Sequence, residues 1–186
     1  MNEHVKMNAT EIQIDDLQFV RYITAENIDR KINEIARKLQ DDLSDKYPMF
    51  LVVMNGAFIF AADLMRKLDF PCELNFVRIK SYQGTQSSGN VDIFMPPDIQ
   101  IRDRYIVIVE DIIDTGLTIT SFRKYLQNLH PADIRLTSIL IKPEAHLHPV
   151  HTDYPGFSIP DLFVVGYGLD YNGKGRNLPD LYQLKA

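Results

Sequence analysis

Cysteine is almost missing. Cys72 stands alone among 186 residues, which excludes an intrachain disulfide framework and makes a reducing compartment the simpler setting. Long apolar runs are missing too. None approaches the roughly 18 to 20 residues that span a bilayer. Met1 to Val20 alternates polar and apolar residues and carries acids where a signal core would lie. The chain therefore reads as cytoplasmic, with no membrane as partner. An excess of basic charge is also lacking: 20 Lys and Arg face 25 Asp and Glu, a formal net charge of -5. That balance argues against nucleic acid as the main partner and leaves room for a local basic pocket. Repeats, low-complexity segments and a linker are absent, so residues 1–186 read as one domain with a sizeable core.

What is present alternates between two periods. Thr24 predicts a helix start, with Glu26 in the first turn, and Ile28, Ile32, Ile35, Leu39 and Leu43 recur at helical spacing. Pro48 predicts an end at or before Tyr47. Phe50 to Met54 predicts a buried strand, Asn55-Gly56 a turn, Ala57 to Leu68 a helix and Leu74 to Ile79 a further strand. Ser81 to Asn90 is rich in Ser, Gly, Gln and Asn and predicts a mobile loop. Strands are expected at Tyr105 to Val109, Ile134 to Ile141 and Leu162 to Val165, and a helix at Thr118 to Leu129. Lys142 to Pro160 is expected to be irregular, and Asp170 to Ala186 a loop-like tail packed on the core. Strands alternating with helices predict an α/β fold with a mainly parallel sheet flanked by helices.

One segment concentrates the chemistry. An apolar strand, Ile106 to Val109, runs into Glu110-Asp111, two apolar residues, Asp114, and then Thr115-Gly116-Leu117-Thr118 opening a helix. In open α/β sheets ligands bind outside the carboxyl ends of the strands. Gly116 permits close approach of the backbone. The first N–H groups of a helix, with the Thr115 and Thr118 hydroxyls, suit a phosphate. The paired acids suit ribose hydroxyls and Mg²⁺. Each residue taken singly is equally an ordinary strand-end acid or turn residue, and Asp114 is equally a helix cap; the contiguous string is what points to a sugar-phosphate site. It is neither a Walker A motif nor G-x-G-x-x-G.

The string Glu110-Asp111-Ile112-Ile113-Asp114-Thr115-Gly116 closely resembles the phosphoribosyl-diphosphate (PRPP) motif of the type I phosphoribosyltransferases, in the form seen in the hypoxanthine-guanine members. Val53-Met54-Asn55-Gly56-Ala57, Ser81-Tyr82, and Phe163-Val164-Val165-Gly166-Tyr167-Gly168-Leu169-Asp170-Tyr171-Asn172 with Arg176 agree in kind and order. The resemblance covers about Ile12 to Leu181. It implies the type I phosphoribosyltransferase fold, with a small hood built from both chain ends, and transfer of the phosphoribosyl group of PRPP to a 6-oxopurine base with release of pyrophosphate.

The resemblance also implies roles. Asp114 is the acid/base residue beside the purine N7. Glu110, Asp111, Asp114 and Thr115 to Thr118 (Gly116 and Leu117 through their backbone) bind PRPP and its 5′-phosphate. Met54, Asn55, Gly56 and Arg176 hold pyrophosphate, with a cis peptide between Met54 and Asn55. Lys142 donates to the 6-oxo group, Phe163 stacks on the base, and Val164 and Asp170 complete the base site. Glu110, Asp111 and, through waters, Asp170 hold Mg²⁺. Ser81 and Tyr82 belong to a lid over residues 81 to 92. A homodimer or homotetramer is expected by analogy. Read without the resemblance, Lys142 is an exposed lysine and Phe163 a core aromatic. His146, His148 and His151 share a Pro-containing loop without the spacing of a metal site, and Cys72 reads as a structural thiol. Two rivals remain: a same-fold enzyme preferring xanthine, and a PRPP-binding regulator of nucleic acid.

Overall fold

A computed structural model describes residues 5–7, 10–81 and 91–185, with side chains for all of these except 5–7 and 81. Of the expected mobile loop, residues 82–90, with Tyr82, lie outside the described residues, and Ser81 ends a strand.

The first helix, α1 (Ala25–Leu43), shows how the pattern becomes structure. The Thr24 hydroxyl accepts from the Asn27 N–H at 3.3 Å, and Ile28, Ile32, Ile35, Leu39 and Leu43 are all buried. A buried leucine such as Leu39 contributes roughly 1.5–3 kcal/mol relative to an exposed one. Strand β4 (Met49–Met54) is buried through its first five residues, as a strand covered on both faces must be. Helix α2 (Phe58–Met65) returns to β5 (Glu73–Ser81). Then come β6 (Val91–Phe94), β7 (Tyr105–Ile113), helix α3 (Leu117–Gln127), β8 (Asp133–Ile141) and β9 (Tyr154–Ser158).

These strands form a sheet in the order β6-β5-β4-β7-β8-β9, parallel except for the β5–β6 pair. Helices α1 and α2 cover one face, through a core that includes Phe50, Val52, Val107 and Val109; α3 covers the other, against Leu51, Val53, Ile106 and Ile108. No helix among the described residues is long and apolar enough to cross a membrane.

Both chain ends meet in a second, antiparallel sheet, β1-β2-β3-β11-β10, built from β1 (Val5–Met7), β2 (Glu11–Ile14), β3 (Leu17–Ile23), β10 (Val164–Val165) and β11 (Leu181–Leu184). This is the expected hood. It is tied to the main body where the Asp180 carboxylate accepts from the Ala25 N–H at 2.7 Å, and where the Tyr167 hydroxyl donates to Asp63 at 2.6 Å.

Four expectations need correction. Strand β7 runs to Ile113, because β8 pairs with it as far as Ile113↔Ile141, so Glu110 and Asp111 lie within the strand. Tyr154–Ser158 is a strand, not irregular chain. Pro155 is tolerated there because β9 is an edge, and Gly156 is needed because a Cβ would stand 2.3 Å from the Ile139 carbonyl oxygen. The tail contributes β11, paired with β3 and β10. Val91–Phe94 pairs with β5 and takes the end of the proposed lid into the sheet.

Candidate active site

The carboxyl ends of β4, β7 and β8 converge. Beyond β7, Gly116 adopts φ +82° and is the N-cap residue of α3, a position with no side chain to cap the helix; Asp114 does not occupy it. The Leu117 N–H donates to the Thr115 hydroxyl at 3.4 Å. The turn wraps a cavity of about 100 Å³ lined by Glu110, Ile112, Ile113, Asp114, Thr115, Gly116, Thr118 and Ile119. A helix N-terminus facing such a hollow, with two threonines beside it, suits a phosphate. The loop carrying His146 and His148 packs on the outside of this turn. The Thr115 carbonyl accepts from Leu147 and His148 N–H groups at 3.0 and 3.1 Å, and a Cβ at Gly116 would stand 2.7 Å from the His148 carbonyl oxygen. The histidines form no metal cluster among the described residues.

Glu110 is buried. Burial and the adjacent Asp111 carboxylate push its carboxyl well above the usual range. Its Oε2 has no hydrogen-bond partner among the described residues. A buried acceptor left open beside another acid is a place built to receive a cation or hydroxyl donors.

Asp111 faces the β4 loop. Its Oδ1 accepts from the Ile112 N–H at 2.9 Å, and a Cβ on Gly56 would stand 1.4 Å from its Oδ2. Gly56 is therefore a glycine by necessity: its bare Cα makes the seat for the Asp111 carboxylate. On the other side, a Cβ on Gly168 would stand 2.1 Å from the Gly56 carbonyl oxygen. The expected cis peptide between Met54 and Asn55 is present. Arg176 closes this corner, donating to the Gly168 carbonyl at 2.7 Å and pairing with Asp170 at 2.5 Å.

A second cavity, of about 170 Å³, is lined by Asp111, Ile112, Asp114, Lys142, Leu162, Phe163, Val164, Leu169, Asp170 and Arg176. Its floor and rim come from distant segments. Phe163 is 44% exposed, which sets it apart from a core aromatic. Its ring is propped by Phe19 and Tyr171, with centroids 6.0 and 5.9 Å away. Lys142 is buried at the end of β8, its ammonium 3.4 Å from Asp114 and 3.0 Å from Asp161. The cavity thus offers an aromatic face, a cation, an acid and backbone edges, a set that suits a flat heterocycle with polar rims.

The sequence-predicted residues of β7, β8, α3 and the hood accordingly fall into two adjoining cavities that share Ile112 and Asp114, except Leu117, which opens α3 and lines neither; the loop of Met54 to Gly56 lies beside them. Ser81 ends β5, and Tyr82 lies outside the described residues. Sequence reasoning missed Phe19 and Tyr171 as props, Gly168 as the backing of Gly56, and Asp161. Gly168 was visible as a glycine in the quoted segment; a lone aromatic on a hood strand carries no comparable signal. Burial raises the Cys72 thiol, as suits a structural role.

The chain matches the phosphoribosyl transferase domain family over residues 21–172. It is 38% identical over 164 residues to the hypoxanthine-guanine phosphoribosyltransferase of Bacillus subtilis (strain 168), covering 88% of this chain and 91% of that one. It is 37% identical over 173 residues to the hypoxanthine-guanine-xanthine phosphoribosyltransferase of Tritrichomonas foetus, with 92% and 94% covered. Among solved structures, a hypoxanthine phosphoribosyltransferase from Staphylococcus aureus superposes with a TM-score of 0.84 at 33% identity, covering 89% of this chain and 90% of that one.

Proposed function

This chain belongs to the phosphoribosyltransferase family, with its hypoxanthine-guanine enzymes, and from that premise we propose that it moves the phosphoribosyl group of PRPP onto hypoxanthine or guanine, giving IMP or GMP and pyrophosphate in purine salvage. The observation that carries this is the pair of adjoining cavities. One is a helix N-terminus for the 5′-phosphate; the other is an aromatic-faced slot with Lys142 and Asp114 at its rim.

The reaction replaces the bond from C1 of the ribose to pyrophosphate with a bond from C1 to a purine ring nitrogen. Charge develops at C1 and on the leaving oxygens. Thr115, Thr118 and the backbone of Gly116 and Leu117 anchor the 5′-phosphate and so fix the ribose. Phe163 presents a face on which the base stacks, and the backbone of Val164 meets its edge. Lys142 donates to the 6-oxo group. Adenine has a donor at that position and leaves the lysine without an acceptor, which disfavours it. Asp114, at the junction of the two cavities, takes the proton from N7 of the base as the new bond forms at the other ring nitrogen. Met54, Asn55, Gly56 and Arg176 take up the departing pyrophosphate.

The open oxygen of buried Glu110, next to Asp111, fits a requirement for Mg²⁺. Mg²⁺ binds through one or two carboxylates, waters and substrate phosphates, so no larger acid cluster is needed. Glu110 and Asp111 would hold it, with Asp170 acting through waters because its carboxylate already meets Arg176 and the Gly173 N–H. When bound, the ion neutralises charge on the diphosphate. A homo-oligomer, dimer or tetramer, belongs to the same proposal. Leu74, Phe76 and Phe94 stand exposed on one sheet face, where a second copy would cover them.

The test mixes the protein, PRPP and Mg²⁺ with hypoxanthine, guanine, xanthine or adenine, with a chelator control, and follows nucleotide and pyrophosphate. Turnover of hypoxanthine and guanine, little with adenine and none with the chelator is the expected result. PRPP binding without turnover of any base would overturn it in favour of a regulator.

A further inference from the structure

Lys142 carries its charge where water does little for it. Its side chain is 8% exposed, and a buried ammonium needs acceptors. Two carboxylates supply them, Asp161 at 3.0 Å and Asp114 at 3.4 Å. They approach from different places. Asp114 lines the base-side cavity together with Lys142; the residues lining that cavity do not include Asp161. The Asp161 side chain is 66% exposed and reaches the ammonium from outside. Its position is fixed by the backbone on either side. The Ile159 N–H donates to the Ile141 carbonyl at 2.8 Å, beside Lys142, and the Leu162 N–H closes the turn onto the Pro160 carbonyl at 2.8 Å.

An ammonium has three N–H donors. One on each carboxylate leaves one for a ligand. Lys142 and Asp114 have tasks that conflict if the two pair only with each other: a closed ion pair draws the ammonium away from the 6-oxo group and covers the carboxylate that must meet the base. We infer that Asp161 is a positioning residue that resolves this conflict. It takes the shorter hydrogen bond, limits the Lys142–Asp114 contact to a single longer one at 3.4 Å, and leaves the third N–H for the 6-oxo group. The inference rests on the assignment of this cavity to a 6-oxopurine.

The test compares Asp161→Ala, Asp161→Asn and Lys142→Ala by KM for hypoxanthine, KM for PRPP, kcat and Tm. Asp161→Ala raises the hypoxanthine KM about tenfold and lowers kcat, the scale of one hydrogen bond to a charged group. Its PRPP KM stays within about twofold of the parent. Asp161→Asn keeps an acceptor oxygen and recovers most of the hypoxanthine KM. If Asp161→Ala does not fold, Asp161→Ser replaces it with the same expectation. A hypoxanthine KM unmoved in Asp161→Ala while Lys142→Ala raises it overturns the inference alone. So does a parallel loss of both KM values and Tm with no recovery in Asp161→Asn. An unmoved hypoxanthine KM in Lys142→Ala removes the assignment of the cavity, and the role of Asp161 with it.

Discussion

The phosphate side and the base side of the site are built in opposite ways. The phosphate side is one contiguous stretch, Glu110 to Thr118, running from β7 into α3, and its ligand-facing groups are largely backbone and hydroxyl. The base side is assembled from Asp111 to Asp114, the end of β8, the turn after β9, the hood strand β10 and the loop beyond it, and its groups are mainly side chains, with backbone edges beside them. Phosphate is the same in every substrate, so a rigid local cradle suffices. A base must be told from other bases, which calls for side chains that converge from several directions and that differ between proteins with little cost to the fold.

That contrast sets what could be read from the residues. Glu110 to Thr118 was legible because its chemistry is local: strand, acids, glycine and helix start follow one another in the chain. The main sheet was legible for the same reason, since Phe50 to Met54 and Ile134 to Ile141 are apolar runs bounded by turn signals. Strand β9 was not, because Tyr-Pro-Gly-Phe-Ser reads as a turn until the close contact of Gly156 with Ile139 is known. The hood was foreseen only through resemblance; the pairing that joins the two chain ends, β3 with β11, links residues more than a hundred positions apart, as in Gln183↔Val20. The bracing of Phe163 by Phe19 and of Lys142 by Asp161 depends on tertiary contact and leaves no trace in spacing.

Three substitutions probe the contrast, beginning with the largest effect. Gly56→Ala places a methyl where the Asp111 carboxylate sits. The carboxylate swings aside, and the PRPP KM rises by roughly 30-fold, about 2 kcal/mol, with the hypoxanthine KM far less affected. Steady-state kinetics with each substrate varied in turn checks this, and equal effects on both substrates would erase the distinction between the two sides. Phe163→Ala acts in reverse. Loss of the stacking face costs about 1 kcal/mol, so the hypoxanthine KM rises roughly fivefold and PRPP binding, followed by calorimetry, stays as it was.

Glu110→Gln has the smallest effect and the less obvious sign. Burial and Asp111 raise the Glu110 carboxyl in the folded chain above its ordinary 4.5. The folded state therefore prefers the protonated form, and stability is lost as pH rises from 4.5 through the folded value. Glutamine removes that loss. The chelator-treated variant melts higher than the parent at neutral pH, by about 2–4 °C for each kcal/mol recovered, and the gain fades as pH falls toward 4.5. Thermal melts across pH read this directly; a lower Tm at neutral pH would show that the open oxygen of Glu110 is satisfied in the free protein.

The central claim is that Asp114, where the two sides meet, handles the proton of the base while the cradle around it holds PRPP. A single-turnover measurement on Asp114→Asn, with PRPP, Mg²⁺ and hypoxanthine, tests it most directly. The account predicts nucleotide formation slowed by about 10²–10⁴-fold, with PRPP affinity reduced far less than the rate. Nucleotide formed at close to the parent rate would contradict it.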